Sequence, residues 1–140
     1  MILPNISKFI KQYVIKRDKS FFDNDLINNK ESLTKEIRGK SILVIGGAGT
    51  IGSSFIKAAL NYSPSELIVV DNNENGLTEL TRTLRSDSNI IVPENYLTYP
   101  MSFNSDVFYK MLKKHGKFDI VANFAAHKHV RSEKDSFSIE

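Results

Sequence analysis

Ser41–Gly52 reads SILVIGGAGTIG, and this stretch decides the fold. Ser41 to Ile45 is a short apolar run rich in β-branched residues, as expected of a parallel strand covered on both faces. The turn Gly46-Gly47-Ala48-Gly49-Thr50-Ile51-Gly52 follows at once, satisfying Gly-x-Gly-x-x-Gly from Gly47 and Gly-x-x-Gly-x-x-Gly from Gly46. Thr50 to Asn61 then carries Ile51, Phe55, Ala58 and Ala59 at helical spacing, and Pro64 lies just beyond the expected stop. A strand, a glycine turn and an amphipathic helix in that order predict the opening of a βαβ unit.

Downstream, Leu67 to Val70 reads as a second buried strand ending at Asp71. Leu77, Leu80 and Leu84 mark the inner stripe of the next helix. A third strand falls within Tyr96–Met101, with Ile90–Val92 competing for the same role. Ser105 fits the N-cap of a helix bearing Val107, Phe108, Met111 and Leu112, Gly116 fits its stop, and Phe118 to Phe124 gives a fourth strand. Crossovers of this length force parallel pairing and right-handed connections, so the expected class is α/β, a doubly wound parallel sheet of Rossmann type that ends after its fourth strand.

Residues 1–38 have another texture, polar and rich in Asn and Lys, and the expected division is a helical lead-in with linker over 1–38 and a nucleotide-type domain over 39–140. Phe9, Ile10, Tyr13 and Val14 are spaced for one helical face, which suits packing on the domain or on a neighbouring subunit. Lys8, Lys11, Lys16 and Arg17 flank that face, leaving a membrane-surface helix as the alternative. Asp23 to Asn29 reads as a linker.

Composition narrows the function classes. The 140 residues fit one core, and 41% hydrophobic with 25% charged residues is ordinary for a soluble domain. A net charge of +3 without basic runs that alternate with aromatics gives no reason to expect a nucleic-acid partner. The chain has no cysteine, which removes disulfides, thiolate metal sites and cysteine nucleophiles and fits a cytoplasmic setting. No segment approaches the ~20 apolar residues of a membrane span, so no stable membrane insertion is expected.

Each residue type in the turn has a physical role. The first glycines permit a tight strand-to-helix turn, Gly49 lets the main chain approach a pyrophosphate without a Cβ in the way, and Gly52 allows close helix packing. The N–H groups and positive dipole end of the helix then face the phosphates, so no lysine is required, and the missing Gly-Lys-Ser/Thr speaks against a P-loop. Asp71 sits at the end of the next strand, where a carboxylate accepts hydrogen bonds from the adenosine ribose. Such a carboxylate repels a 2′-phosphate, and no arginine follows in Asp71-Asn72-Asn73-Glu74-Asn75, so NAD is favoured and NADP is the alternative. A methyltransferase site for S-adenosylmethionine shares the turn and the acid, but the third glycine favours the dinucleotide.

With Asp71-Asn72-Asn73-Glu74-Asn75-Gly76-Leu77 after the second strand and Ala125-Ala126-His127-Lys128-His129-Val130 after the fourth, residues 39–140 resemble the extended short-chain dehydrogenase/reductases. More narrowly they resemble the CapD-like polysaccharide-biosynthesis branch, whose members are UDP-N-acetylglucosamine 4,6-dehydratases and epimerases. The resemblance implies a UDP-sugar substrate, Ala125 and Ala126 along the nicotinamide side of the cofactor, and Lys128 directed at the substrate crevice. It places Ser102 and Phe103, standing where relatives carry an Asp and an aliphatic residue, near the adenine. His127 and His129 as a metal pair lack further ligands, so no metal is expected. The family's proton-transferring residues follow the fourth strand, so no catalytic residue is expected here, and the 140-residue chain alone should bind NAD weakly or not at all and turn over nothing. A homo-oligomer is a further open expectation, and the competing class is a non-catalytic dinucleotide-binding or sensing module.

Overall fold

The computed structural model describes residues 6–16 and 22–126. The chain forms two compact units, Met1–Leu33 and Thr34–Glu140. In the first, α1 (Ile6–Phe9) runs into a wider π-helical stretch, Ile10–Ile15, which Lys16 ends in a left-handed conformation at φ 54°. The linker expected at Asp23–Asn29 is instead helical: α2 spans Asp23–Asn28. Asp23 and Asp25 fall in the first turn, where acidic side chains complement the helix dipole, and the Asn29 N–H closes the end on Asp25 O. Helix α3 covers Lys30–Ile37 and leads out of this unit into the second.

The second unit holds four parallel strands, β1 (Ser41–Ile45), β2 (Glu66–Asp71), β3 (Asn95–Pro100) and β4 (Ile120–Asn123), in the order β3-β2-β1-β4. Pairs such as Leu43↔Ile68 and Leu43↔Val121 fix the register across the centre. The third strand settles on 95–100 rather than Ile90–Val92 because Pro93 breaks the run and supplies no N–H, while Ile90 and Val92 pack on the core from the preceding loop. Strand order reverses between β1 and β4, as in doubly wound sheets.

Three helices cover the sheet: α4 (Thr50–Leu60), α5 (Glu74–Ser86) and α6 (Asp106–His115). Alternate residues of the central strands serve alternate faces. Ile42, Val44, Leu67 and Val69 pack with Ile56 and Leu60 of α4 and with Leu77, Leu80 and Leu84 of α5. Leu43, Ile45, Ile68 and Val70 pack with Phe108 of α6, which Met111 and Leu112 join from the same helix. Both strands therefore read as continuous apolar runs, and the sheet is a doubly wound α/β architecture.

Two helix stripes differ from expectation. In α4 the buried residues are Gly52, Ile56, Ala59 and Leu60, while Ile51 is 67% exposed. The apolar pattern tolerates either rotation of this helix, and the decision is made by Gly52, which must face inward because only a residue without Cβ fits there. In α6, Phe108 is buried but Val107 is exposed. The helix begins as expected, with Ser105 Oγ accepting from Phe108 N, and Gly116 follows its last residue at φ 92°.

Candidate functional site

The carboxyl ends of β1, β2 and β4 meet the segment after β3 around a cavity of about 490 Å³. Ligands of open α/β sheets bind outside these strand ends, at the point where strand order reverses, and the volume lies in the range of small-molecule sites. The floor is Ile45, Gly46 and Gly49; one wall is Val70, Asp71 and Asn72; the others are Met101–Asn104 and Phe124–Ala126.

The glycine turn is built by close contacts on three sides. Gly46 takes φ +75°, donates its N–H to Val70 O at 2.8 Å, and would place a Cβ 2.5 Å from Ala125 N. At Gly47 a Cβ would come 2.3 Å from Val69 Cγ1, and at Gly52 it would come 2.3 Å from Gly46 O. Gly49 differs. Its nearest neighbour for an added Cβ is Gly46 O at 3.5 Å, an ordinary contact, and its backbone at φ −71°, ψ 166° suits any residue. Among the described residues nothing demands a glycine at 49, yet this residue lines the cavity.

Capping sets α4 apart from its neighbours. Asn73 caps α5 by accepting from Gly76 N at 3.0 Å, and Ser105 caps α6. Among the described residues no side chain caps α4, and its first turn holds no acidic residue. The N-terminus of a helix leaves unpaired N–H groups and partial positive charge, so this end is prepared for an anion.

Asp71 joins the second strand to the turn. Its Oδ2 accepts from Ala48 N at 2.9 Å and its Oδ1 accepts from Asn73 N at 2.9 Å. A carboxylate offers roughly four acceptor positions, so two remain for hydroxyl groups in the cavity. Because the Ala48 N–H is taken by Asp71, the donors left to an anion at the turn lie further on, at the start of α4.

A profile of polysaccharide biosynthesis proteins matches residues 42–138. The chain belongs to the polysaccharide biosynthesis protein family. Among relatives of this family member, EpsC of Bacillus subtilis, named as a polysaccharide biosynthesis protein, is 28% identical over 100 residues, covering 70% of this chain and 16% of EpsC. Pen from Bacillus thuringiensis is similar in structure with a TM-score of 0.55 and 26% identity, over 67% of this chain and 27% of Pen. WbmF of Bordetella bronchiseptica, solved in complex with NADH, aligns with a TM-score of 0.51 at 23% identity, over 71% of this chain and 26% of WbmF, a likeness of fold. The chain spans less than a fifth of the length of the curated relatives it matches.

In this polysaccharide biosynthesis protein the residues singled out from sequence divide into groups. Gly46, Gly49, Asp71, Asn72, Ser102, Phe103, Ala125 and Ala126 line one cavity. Gly47, Ala48 and Gly52 build the turn behind it, and Asn73 is occupied as the cap of α5. Thr50, Ile51 and Asn75 are exposed and do not line it. Lys128, with His127 and His129, lies outside the described residues. Met101, Asn104 and Phe124 also line the cavity but were not singled out. Asn104 accepts from Ser102 Oγ at 2.6 Å, orienting the loop after β3. Gly76 was missed too: a Cβ there would come 2.9 Å from Ala48 Cβ, so α5 presses against the turn. Its place in an Asn-Gly pair at a helix start was the available signal.

Proposed function

We propose that this chain is the NAD-binding part of a nucleotide-sugar 4,6-dehydratase or epimerase of surface polysaccharide synthesis, working in the cytoplasm on a UDP-sugar, with residues 39–140 as the functional domain. The observation that carries the reading is the Asp71 carboxylate bonded to Ala48 N at the mouth of the glycine turn, with Asp71, Gly46 and Gly49 on one cavity. The uncapped start of α4 suits a diphosphate, and the two spare acceptor positions of Asp71 suit the adenosine ribose hydroxyls. The same carboxylate repels a 2′-phosphate, which favours NAD over NADP. WbmF, of similar fold, has been solved with NAD+ and UDP.

Within this reading Ser102 and Phe103 flank the adenine, Ala125 and Ala126 leave room along the nicotinamide, and Lys128 reaches toward the sugar nucleotide. Bound NAD would supply a hydride acceptor for the sugar, while the chain's part is to hold and orient it. The test is a nuclear magnetic resonance titration of the 140-residue chain with NAD up to millimolar concentration, which registers binding too weak for calorimetry. Chemical-shift changes centred on the amides of Gly49, Thr50, Ile51 and Asn72 are expected, smaller with NADP. No change there, or changes gathered on another surface, would overturn the assignment.

A further inference from the structure

We propose that the segment Ile6–Lys16 docks on the surface of an anionic lipid bilayer. It carries Ile6, Phe9, Ile10, Tyr13, Val14 and Ile15, exposed by 69, 55, 38, 60, 67 and 46%. Six large apolar side chains within ten residues, all classed among the exposed ones, form a surface rather than part of a core. Phe9 and Tyr13 reinforce it by ring contact at 5.0 Å. Isolated exposed apolar residues need no explanation, but a contiguous set marks an interaction surface.

Charge selects the partner. Residues 1–20 include Lys8, Lys11, Lys16, Arg17 and Lys19 against the single acid Asp18. A second copy of the chain would bring like charges together, whereas an anionic surface complements them. Lysine and arginine stems let the charged ends reach headgroups while aromatic and aliphatic side chains enter the acyl boundary, and Tyr13 offers an apolar ring with a polar tip. The helical stretch Ile6–Ile15 is far shorter than the ~20 residues that cross a bilayer, and among the described residues no helix is long and apolar enough to do so. The segment therefore lies along the interface. This inference is independent of the cofactor site, since it rests on residues outside the sheet-bearing unit.

The test is sedimentation of the whole chain with vesicles of mixed phosphatidylglycerol and phosphatidylcholine, beside vesicles of phosphatidylcholine alone. The chain should sediment with the former and not the latter, and added salt should release it. Lys16→Ala should weaken binding about fivefold, as for one basic residue near an anionic surface. Phe9→Asp combined with Val14→Asp should abolish it while leaving the melting of the sheet unit and the NAD-induced shifts unchanged, because both side chains are exposed. Failure to sediment, equal binding to both vesicle types, or lipid-free self-association that the double substitution abolishes would overturn the proposal, the last in favour of a protein interface.

Discussion

Two alanine substitutions in the same turn should separate its architecture from its use. At Gly52 an added Cβ would stand 2.3 Å from Gly46 O, 2.8 Å from Gly47 Cα and 3.0 Å from Gly46 C, all main-chain atoms of the turn. None can swing away as a side-chain tip could. Overpacking of this kind costs about 3 kcal/mol at the upper end of its usual range, and better helix propensity returns about 1 kcal/mol. Gly52→Ala should therefore lose about 2 kcal/mol, a fall in Tm of about 10 °C for a unit of this size. At Gly49 the added methyl meets only Gly46 O, at 3.5 Å, on a backbone that alanine adopts freely. A poorer N-cap and a less entropic unfolded chain nearly cancel, so Tm should move by only about 2 °C. The methyl would instead occupy the cavity floor where phosphate oxygens need to approach. A steric cost of about 1–3 kcal/mol corresponds to weakening NAD roughly tenfold to a hundredfold. The assay is a thermal melt of each variant followed by NAD titration. If Gly49→Ala binds NAD as the parent chain does, the turn is not the phosphate cradle; if Gly52→Ala melts with the parent, the close contact is not structural.

Two further outcomes concern stability away from the cavity. Leu84 is fully buried between α5 and the sheet, so Leu84→Ala should lose about 2–5 kcal/mol in denaturant unfolding, with little change in m. Asp119 accepts from Ser41 N at 2.9 Å and Ser41 Oγ at 3.0 Å, beside Lys40 Nζ at 3.5 Å; the Ser41 main-chain bond chiefly, then its hydroxyl and Lys40, hold the carboxyl below its ordinary range. A lowered folded-state pKa gives a contribution present above the unfolded carboxylate pKa and lost as pH falls through the folded one. Asp119→Asn should thus lower Tm at neutral pH and flatten its fall on acidification, and parallel curves for the two proteins would refute this assignment.

What the sequence could show follows from where the physics is local. SILVI and LIVV are buried on both faces and need no partner information to be recognised as strands, and both were found within one residue of their ends. Ser105 and Gly116 were equally legible because a cap and a stop are decided by a few neighbouring atoms. The rotation of α4 was not legible: Ile51 and Ile56 lie on different sides of the helix, and the choice of which faces the core is made by the contact of Gly52 with Gly46 O. The stretch Asp23–Asn29, read as a linker, carries a helix whose first turn holds Asp23 and Asp25. In the cavity, the residues named by a motif were accessible to reasoning, while Met101, Asn104 and Phe124 arrive only through the crossing of three chain segments.

Asp71 shows why a motif and a structural role need not compete. One could hold that its carboxylate serves only to tie Ala48 and Asn73 together, since it accepts from both main-chain N–H groups. Were that its whole purpose, the turn could present any helix behind it, and α4 would gain stability from the kind of side-chain cap that α5 and α6 carry. Instead the helix directly behind the turn lacks such a cap among the described residues, and at Gly49, its N-cap, neither the backbone nor any described neighbour closer than 3.5 Å calls for a glycine. The missing cap forgoes local stabilisation at the floor of the same cavity. A group that binds there would recover it, its phosphates taking the free N–H groups and its hydroxyls the unused lone pairs of Asp71. Under the proposed function the two main-chain bonds would hold the carboxylate in place before the ligand arrives, so the structural role would become the means of the binding one.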